Sequence, residues 1–435
     1  VVDPDPAIVT ASSGASVPTV DPGLDPGSGT RQEAWAATMP GRPDPHRTGL
    51  RLAHRDPAPT VAPGAAAPRA AREEAEDAWL VEGATRALGA GRRARPEEAD
   101  PERTCFERDR DRILHATAFR RLAGKTQVFV FPHDHQRTRL THALEVAQVA
   151  TAVARACRLN QALTEAIALG HDCGHGPGGH ASEDALDPLV EGGFDHAPWG
   201  ADVTLAPLNL CAETLDGIRN HSWSRPAPAT PEAAVVSWAD RIAYVCHDFE
   251  DAASAGIVAA TDLPAEVADT VGPRRSDQLG TFVDGLVDTI RTTGVIGLPD
   301  HLADALAAFR AFDYERIYLR PASVAQAQAV IRLLRALVAH YADRPAALPL
   351  WRGHRDDRLT PRAAQRSPSD TSTTPRGTPP DRSGPAEPPV AGSEEAVRAA
   401  VTYVAGMTDR FACRVAVAEL GWDRATLPRG VDLGG

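Results

Sequence analysis

The chain has 435 residues, with 46 basic and 58 acidic side chains and a formal net charge of −12. That balance excludes a broadly basic nucleic-acid binder, and with no run of 18 apolar residues a transmembrane helix is not expected. Twelve of the 37 prolines fall before residue 69 and ten between 345 and 389, whereas ten of the 15 histidines lie between His115 and His247. The composition therefore separates proline-rich segments from a histidine-rich core.

Residues 1–68 are rich in Pro, Ala, Gly, Ser and Asp without a sustained period, and are expected to form a disordered tail. Their acidic start does not read as a secretory signal, and six cysteines without a CxxC pair read as reduced thiols. Both features point to a cytoplasmic protein. A core is expected over 69–345, opening on a helix from about 70 to 88 and followed by a loop, GRRARPEEADPER.

From Glu107 to Ala252 the pattern is helical. Val146, Val149, Val153 and Cys157 form one apolar stripe. Leu163, Ala166, Ile167 and Gly170 mark the next helix, with Asn160 as its N-cap, and a third helix runs from Val235 to Ala252. TQVFVF at 126–131 is the best strand signal, ended by Pro132. Helices are expected again over 298–312 and 322–342. A low-complexity insertion follows over 346–392, and 393–435 carries a last helix, 393–420, that docks on the core. The predicted fold class is all-α with few short strands.

The sharpest local signal is His171-Asp172 at the end of the second helix, followed by His175, the glycine-rich 176–179 and His180. A carboxylate and an imidazole can both turn toward one cation where a helix stops. His142 opens the preceding helix, and Asp240 sits on the third. Two imidazoles and two carboxylates from three helices make a mixed N/O set that suits a borderline divalent ion. A second pair, His247-Asp248, lies mid-helix without the glycine turn. Asp240, Tyr244, His247 and Asp251 share one helix face.

These residues resemble the HD phosphohydrolase superfamily, and six blocks narrow the resemblance to the deoxyguanosinetriphosphate triphosphohydrolase family. They are FERDRDRILH ending at His115; Phe119-Arg-Arg-Leu122; Lys125-Thr-Gln127-Val-Phe; Arg137-Thr-Arg-Leu-Thr-His142; Asp240-Arg-Ile-Ala-Tyr244 with His247-Asp-Phe-Glu-Asp251; and Gly406-Met-Thr-Asp-Arg-Phe411. The resemblance implies a mostly helical enzyme that hydrolyses a deoxynucleoside triphosphate to deoxynucleoside and inorganic triphosphate. It implies one divalent metal ion (Mn, Mg, Fe, Zn, Co or Ni) on His142, His171, Asp172 and Asp240, with additional Mg accompanying the triphosphate.

His175, His180, Glu183 and His196 match positions around the reacting phosphate. Gln127 and Tyr244 match residues at the sugar, and Arg139 and Arg241 residues near phosphates. Glu183, three residues after His180, is expected to hold that imidazole as a general acid. The partners implied are the nucleotide, a homo-oligomer, and single-stranded DNA or an effector nucleotide. Two departures stand out: the 176–179 turn has no aromatic residue, and the segment after His196 lacks the usual polar residues. The rival readings are an HD phosphohydrolase acting on monophosphates or signalling nucleotides, and a non-catalytic nucleic-acid-binding regulator using Arg108, Arg110, Arg112, Arg120 and Arg121.

Overall fold

The computed structural model describes residues 41–54, 67–132, 135–349 and 387–429, with positions 31, 39, 61, 63 and 64. Most of the expected tail and of the low-complexity insertion lies outside the described residues. The chain divides into two units, residues 1–66 and 67–435. In the first, β1 (Arg42–Pro43) and β2 (Arg51–Leu52) pair antiparallel, and among the described residues these are the only strands.

The second unit is helical. Its first helix, α1 (Arg69–Trp79), stops well short of residue 88. Beyond it, Leu80 is extended, and the Arg86 guanidinium donates to the carbonyls of Leu80, Val81 and Ala84, satisfying groups that a helix would have paired internally. Next come α2 (Cys105–His115), opened by a Thr104–Glu107 capping box, and α3 (Thr117–Arg121). TQVFVF forms no strand. Thr126 makes one isolated bridge to Thr138, its amide donates instead to the Asp409 carboxylate, and Phe131 takes a positive φ of 58°.

Three helices form the centre: α4 (Arg139–Ala156), α5 (Gln161–Gly170) and α9 (Pro231–Ser254). Val146, Val149 and Val153 of α4 are buried as the apolar stripe requires, and Asn160 caps α5 by accepting from the Leu163 amide at 3.1 Å. Thr230 and Pro231 start α9, whose Val235, Ala239, Ile242 and Cys246 face the same core. Between α5 and α9 lie α6 (His180–Leu186), α7 (His196–Trp199) and α8 (Ala212–Arg219). Following α9, α10 (Ala265–Val271), α11 (Arg275–Thr293) and α12 (Asp300–Asp313) extend this cluster.

A second apolar cluster joins α6 and α7 to α13 (Pro321–Asp343), α14 (Glu394–Ala405) and α15 (Asp409–Leu420). By length and composition α13 could cross a membrane, but Leu333, Leu334, Leu337 and Val338 are buried in this cluster. The expected single helix over 393–420 is two helices. Thr408 breaks it with extended backbone (φ −90°, ψ 161°), and Asp409 turns its carboxylate inward to the Thr126 and Gly178 amides. The turn carrying the histidines, 171–179, runs between the two clusters.

Candidate metal centre and active site

Each predicted ligand is placed by a helix end or helix face. His142 lies in the first turn of α4, and His171 and Asp172 follow the last residue of α5. Asp240 projects from the middle of α9. In the turn after Asp172 the backbone at His196 approaches so closely that only glycine fits at Gly174: a Cβ there would lie 1.9 Å from the His196 carbonyl oxygen. Gly179 (φ +62°) then starts α6, where a Cβ would press on Arg139 Nη2 at 2.8 Å and Thr126 O at 2.9 Å.

The four expected ligands converge. Asp240 Oδ1 lies 3.0 Å from His142 Nε2 and 3.6 Å from His171 Nε2. Asp172 Oδ2 lies 3.5 Å from His171 Nε2 and 3.9 Å from His142 Nε2. His171 Nδ1 is 2.6 Å from the Ala168 carbonyl oxygen, which can only accept, so the proton sits on Nδ1. The His171 Nε2 lone pair is then buried with no hydrogen-bond partner. Donor atoms bound about 2.1 Å from one ion lie about 3–4 Å apart at ordinary coordination angles, so His142, His171 and Asp240, whose ligand atoms all lie within 4.8 Å of one another, could hold a divalent cation, with Asp172 Oδ2 beside both imidazoles.

Electrostatics agree with the geometry. Burial works against the Asp172 carboxylate, but Arg139, His171 and His175 outweigh it and hold the group well below the usual carboxylate range. Burial likewise opposes charge on Asp240, and the hydrogen bond with His142, with the nearby His171 ring, overcomes it and holds the carboxyl well below its usual range. Although burial disfavours protonation of His171, the adjacent Asp172 and Asp240 push its pKa up to about 9. The same negative potential that attracts a proton there attracts a metal ion.

The surrounding residues are brought to the same place. Arg139 is buried, with Nη1 donating to Asp172 Oδ2 at 2.7 Å, while Nε and Nη2 have no hydrogen-bond partner. His175 Nε2 is 3.1 Å from Asp172 Oδ1, and its ring stacks on His196 at 3.7 Å. His180 opens onto a cavity of about 450 Å³ that Glu183, Asp195, His196 and Ser222 also line. Glu183 holds His196 rather than His180: its Oε1 is 2.5 Å from His196 Nδ1 and also accepts from the His196 amide. The i, i+3 spacing suggested otherwise, but α7 brings His196 against the carboxylate first.

Arg241 stacks on Trp223, 3.8 Å from the ring centroid, and Tyr244 accepts a hydrogen bond from Arg310 Nε at 2.7 Å. Gln127 Oε1 is buried without a partner. His247 and Asp251 turn elsewhere: His247 Nδ1 is 3.2 Å from Glu145, and Asp251 pairs with Arg137.

One member of the cluster was not singled out from the sequence. His221, just beyond α8, is buried, and its Nε2 lies 3.2 Å from His196 Nε2. Its only sequence signal is membership of the histidine-rich stretch, since nothing in Asn220-His221-Ser222 marks a site.

The arginines offered as a DNA-binding face are engaged locally. Arg108 and Arg112 pair with Glu97, and Arg110 pairs with Asp111. Arg120 donates to His115 and Thr117, and Arg121 also has a partner.

The HD domain model matches residues 139–245, a span that contains all four proposed ligands. A deoxyguanosinetriphosphate triphosphohydrolase-like protein of Caldanaerobacter subterraneus subsp. tengcongensis is 40% identical over 284 residues, covering 64% of this chain and 84% of that protein. A protein of the same name from Ruegeria sp. is 35% identical over 389 residues, covering 74% and 94%. Another from Clostridium perfringens is 44% identical over 243 residues, covering 52% and 71%.

Proposed function

From the premise that the chain belongs to the deoxyguanosinetriphosphate triphosphohydrolase-like family of HD-domain proteins, we propose that it hydrolyses a deoxynucleoside triphosphate such as dGTP to deoxynucleoside and inorganic triphosphate. The coarser reading, a metal-dependent phosphohydrolase, follows from the HD domain and the His/Asp cluster. The observation that carries the finer one is the pairing of that cluster with Arg139. A buried guanidinium with two uncommitted nitrogens stands beside four convergent cation ligands.

His142, His171, Asp172 and Asp240 would hold the ion. When bound, a divalent cation supplies Lewis-acid polarisation of a phosphoryl oxygen and lowers the pKa of water. Arg139 offers Nε and Nη2 to the phosphate chain, and its bond to Asp172 fixes the direction in which they point. Arg241, held flat by Trp223, supplies a second cation near the phosphates.

Water oxygen adds to the α-phosphorus, the bond to the nucleoside 5′-oxygen breaks, and that oxygen needs a proton. His180, open to the cavity, is the donor we assign, although burial and then Arg139 push its pKa down to about 4 in the free protein; His175 and His196 close the same side, and Glu183 orients His196. Gln127 and Tyr244 are assigned to the sugar.

The test is a panel of the four deoxynucleoside triphosphates with Mn²⁺, Mg²⁺ or Co²⁺ and product identification. Intact triphosphate released with deoxynucleoside is the expected result. Orthophosphate or pyrophosphate, or turnover of monophosphates alone, overturns the proposal. His171→Ala, Asp172→Ala and Asp240→Ala are each expected to lose bound metal and at least a thousand-fold of turnover, about 4 kcal/mol of transition-state stabilisation.

A further inference from the structure

Two of the six free thiols stand together at the end of α8 opposite His221. Cys105 is the first residue of α2 and is half-buried, whereas Cys211 immediately precedes α8 and is fully buried. They are 106 positions apart in the chain, so nothing local brings them together. Their sulfurs nevertheless lie 2.8 and 3.5 Å from the one point where a Cβ on Gly91 would stand. Cys211 Sγ is also 3.8 Å from the Cys105 carbonyl oxygen. The hydrogen bond between the two sulfurs, and then burial, pushes the Cys211 thiol well above its usual range.

A buried polar frame fixes this approach. Asp109 of α2 accepts from the Cys211 amide and from the Thr214 hydroxyl, both at 2.7 Å. Its other oxygen accepts from Arg93 Nη1 at 2.6 Å, and Arg93 Nη2 donates to the Cys105 carbonyl at 3.0 Å. Arg93 forms a backbone bridge with Cys211, and the Ala212 amide donates to the Arg92 carbonyl at 2.8 Å. These bonds tie the segment that bears one cysteine to the segment that bears the other, so the sulfurs are held side by side. Cys105 also lines a cavity of about 300 Å³ walled by α1, the loop from 87 to 103 and the start of α2. A small oxidant therefore has a path to Cys105, while Cys211 is reached only through it.

We propose that Cys105 and Cys211 are a redox-modification site, at which a small peroxide joins α2 to the start of α8 by a disulfide. The Cys105 sulfur gives an electron pair to one peroxide oxygen and the O–O bond breaks. The second oxygen leaves as water with the thiol proton, and Cys105 becomes a sulfenic acid. The Cys211 sulfur then attacks the Cys105 sulfur, the S–O bond breaks, and the hydroxyl leaves as water with the Cys211 proton. Two thiols are oxidised and one peroxide is reduced to two waters. Cys211 is a protonated thiol, so placement rather than acidity makes it the partner. Burial also pushes Cys173 and Cys413 up to about 12 and Cys246 well above its usual range, which keeps those sulfurs protonated and inert. In a reducing compartment the bond is transient, and it does not depend on the reaction proposed above.

The test treats the full, folded chain, reduced and then freed of reductant, with a small excess of hydrogen peroxide. Free thiols are counted after denaturation, and linked peptides are identified by mass spectrometry. The count is expected to fall from six to four, with the Cys105 and Cys211 peptides joined and two hydrogens lighter than their sum. Dithiothreitol is expected to restore all six. Cys211→Ser is expected to stop at the Cys105 sulfenic acid, captured by dimedone, and Cys105→Ser to keep all of its remaining thiols. Six thiols retained by wild type, a disulfide between any other pair, or a wild type that halts at the sulfenic acid overturns the site. Dimedone capture at Cys211 in Cys105→Ser also overturns it, because the attacked sulfur is then the wrong one.

Discussion

Replacing Asp409 tests whether the last helix holds the histidine turn in place. Asp409 is buried; its Oδ2 accepts from the Thr126 amide at 2.9 Å and hydroxyl at 2.6 Å, and its Oδ1 accepts from the Gly178 amide at 2.8 Å. Lys125 lies nearby with Nζ bonded to the carbonyls of His175 and Ala405. Burial pushes the Lys125 ammonium down to about 8 and the Asp409 carboxyl up, with their mutual attraction opposing both shifts.

Asp409→Ala strands two buried backbone amides at about 1–3 kcal/mol each and leaves Lys125 without its counter-charge; breaking a buried pair typically costs about 3–5 kcal/mol, which we take for the whole change. That is a large share of the roughly 5–15 kcal/mol that stabilises an ordinary domain. Asp409→Asn keeps one acceptor oxygen and should cost about half as much.

Urea unfolding gives the stability, and turnover measured well below each midpoint gives the effect on the site. Because Gly178 and His175 belong to the turn that positions His180, turnover of the folded Asp409→Ala protein is expected to fall at least ten-fold. A stability loss below about 1 kcal/mol, or a folded variant with wild-type turnover, refutes the argument.

Further predictions come from other buried groups. Arg139→Lys keeps the charge but loses the fork; KM for the triphosphate should rise at least ten-fold, about 1.4 kcal/mol, with bound metal retained, and an unchanged KM would remove Arg139 from phosphate binding. Gly174→Ala should cost about 1–3 kcal/mol or more in a thermal melt, because the new methyl collides with the α7 backbone; a neutral result would contradict the tight turn.

Burial raises Asp313 to about 9 and Asp248 to about 7, and both Asp313 oxygens lack a hydrogen-bond partner. The folded chain therefore binds more protons than the unfolded chain, so this contribution is fully present below the ordinary carboxylate range and declines as pH rises through about 7 to about 9. Asp313→Asn should flatten that decline in melting temperature, and parallel profiles for the two proteins would count against it.

What the sequence determined by itself is what local chemistry encodes. Period and capping place α4, α5 and α9: one apolar stripe through Val146, Val149 and Val153, and one Asn160 side chain on its own helix amide. A His-Asp pair at a helix end beside glycines is likewise a short-range pattern, so His171 and Asp172 were legible locally, whereas His142 and Asp240 were named through the resemblance; the structure places both near His171.

Tertiary structure decided whatever depended on groups far apart in the chain. Thr126 pairs with a carboxylate 283 residues away, which diverts TQVFVF from a strand and breaks the last helix at Thr408. Glu183 turns to His196, 13 residues on, because α7 packs there, and His221 joins the cluster only because α8 ends against α5 and α9. Periodicity carries no information about such partners. They are chosen by packing, which decides which buried donor meets which acceptor.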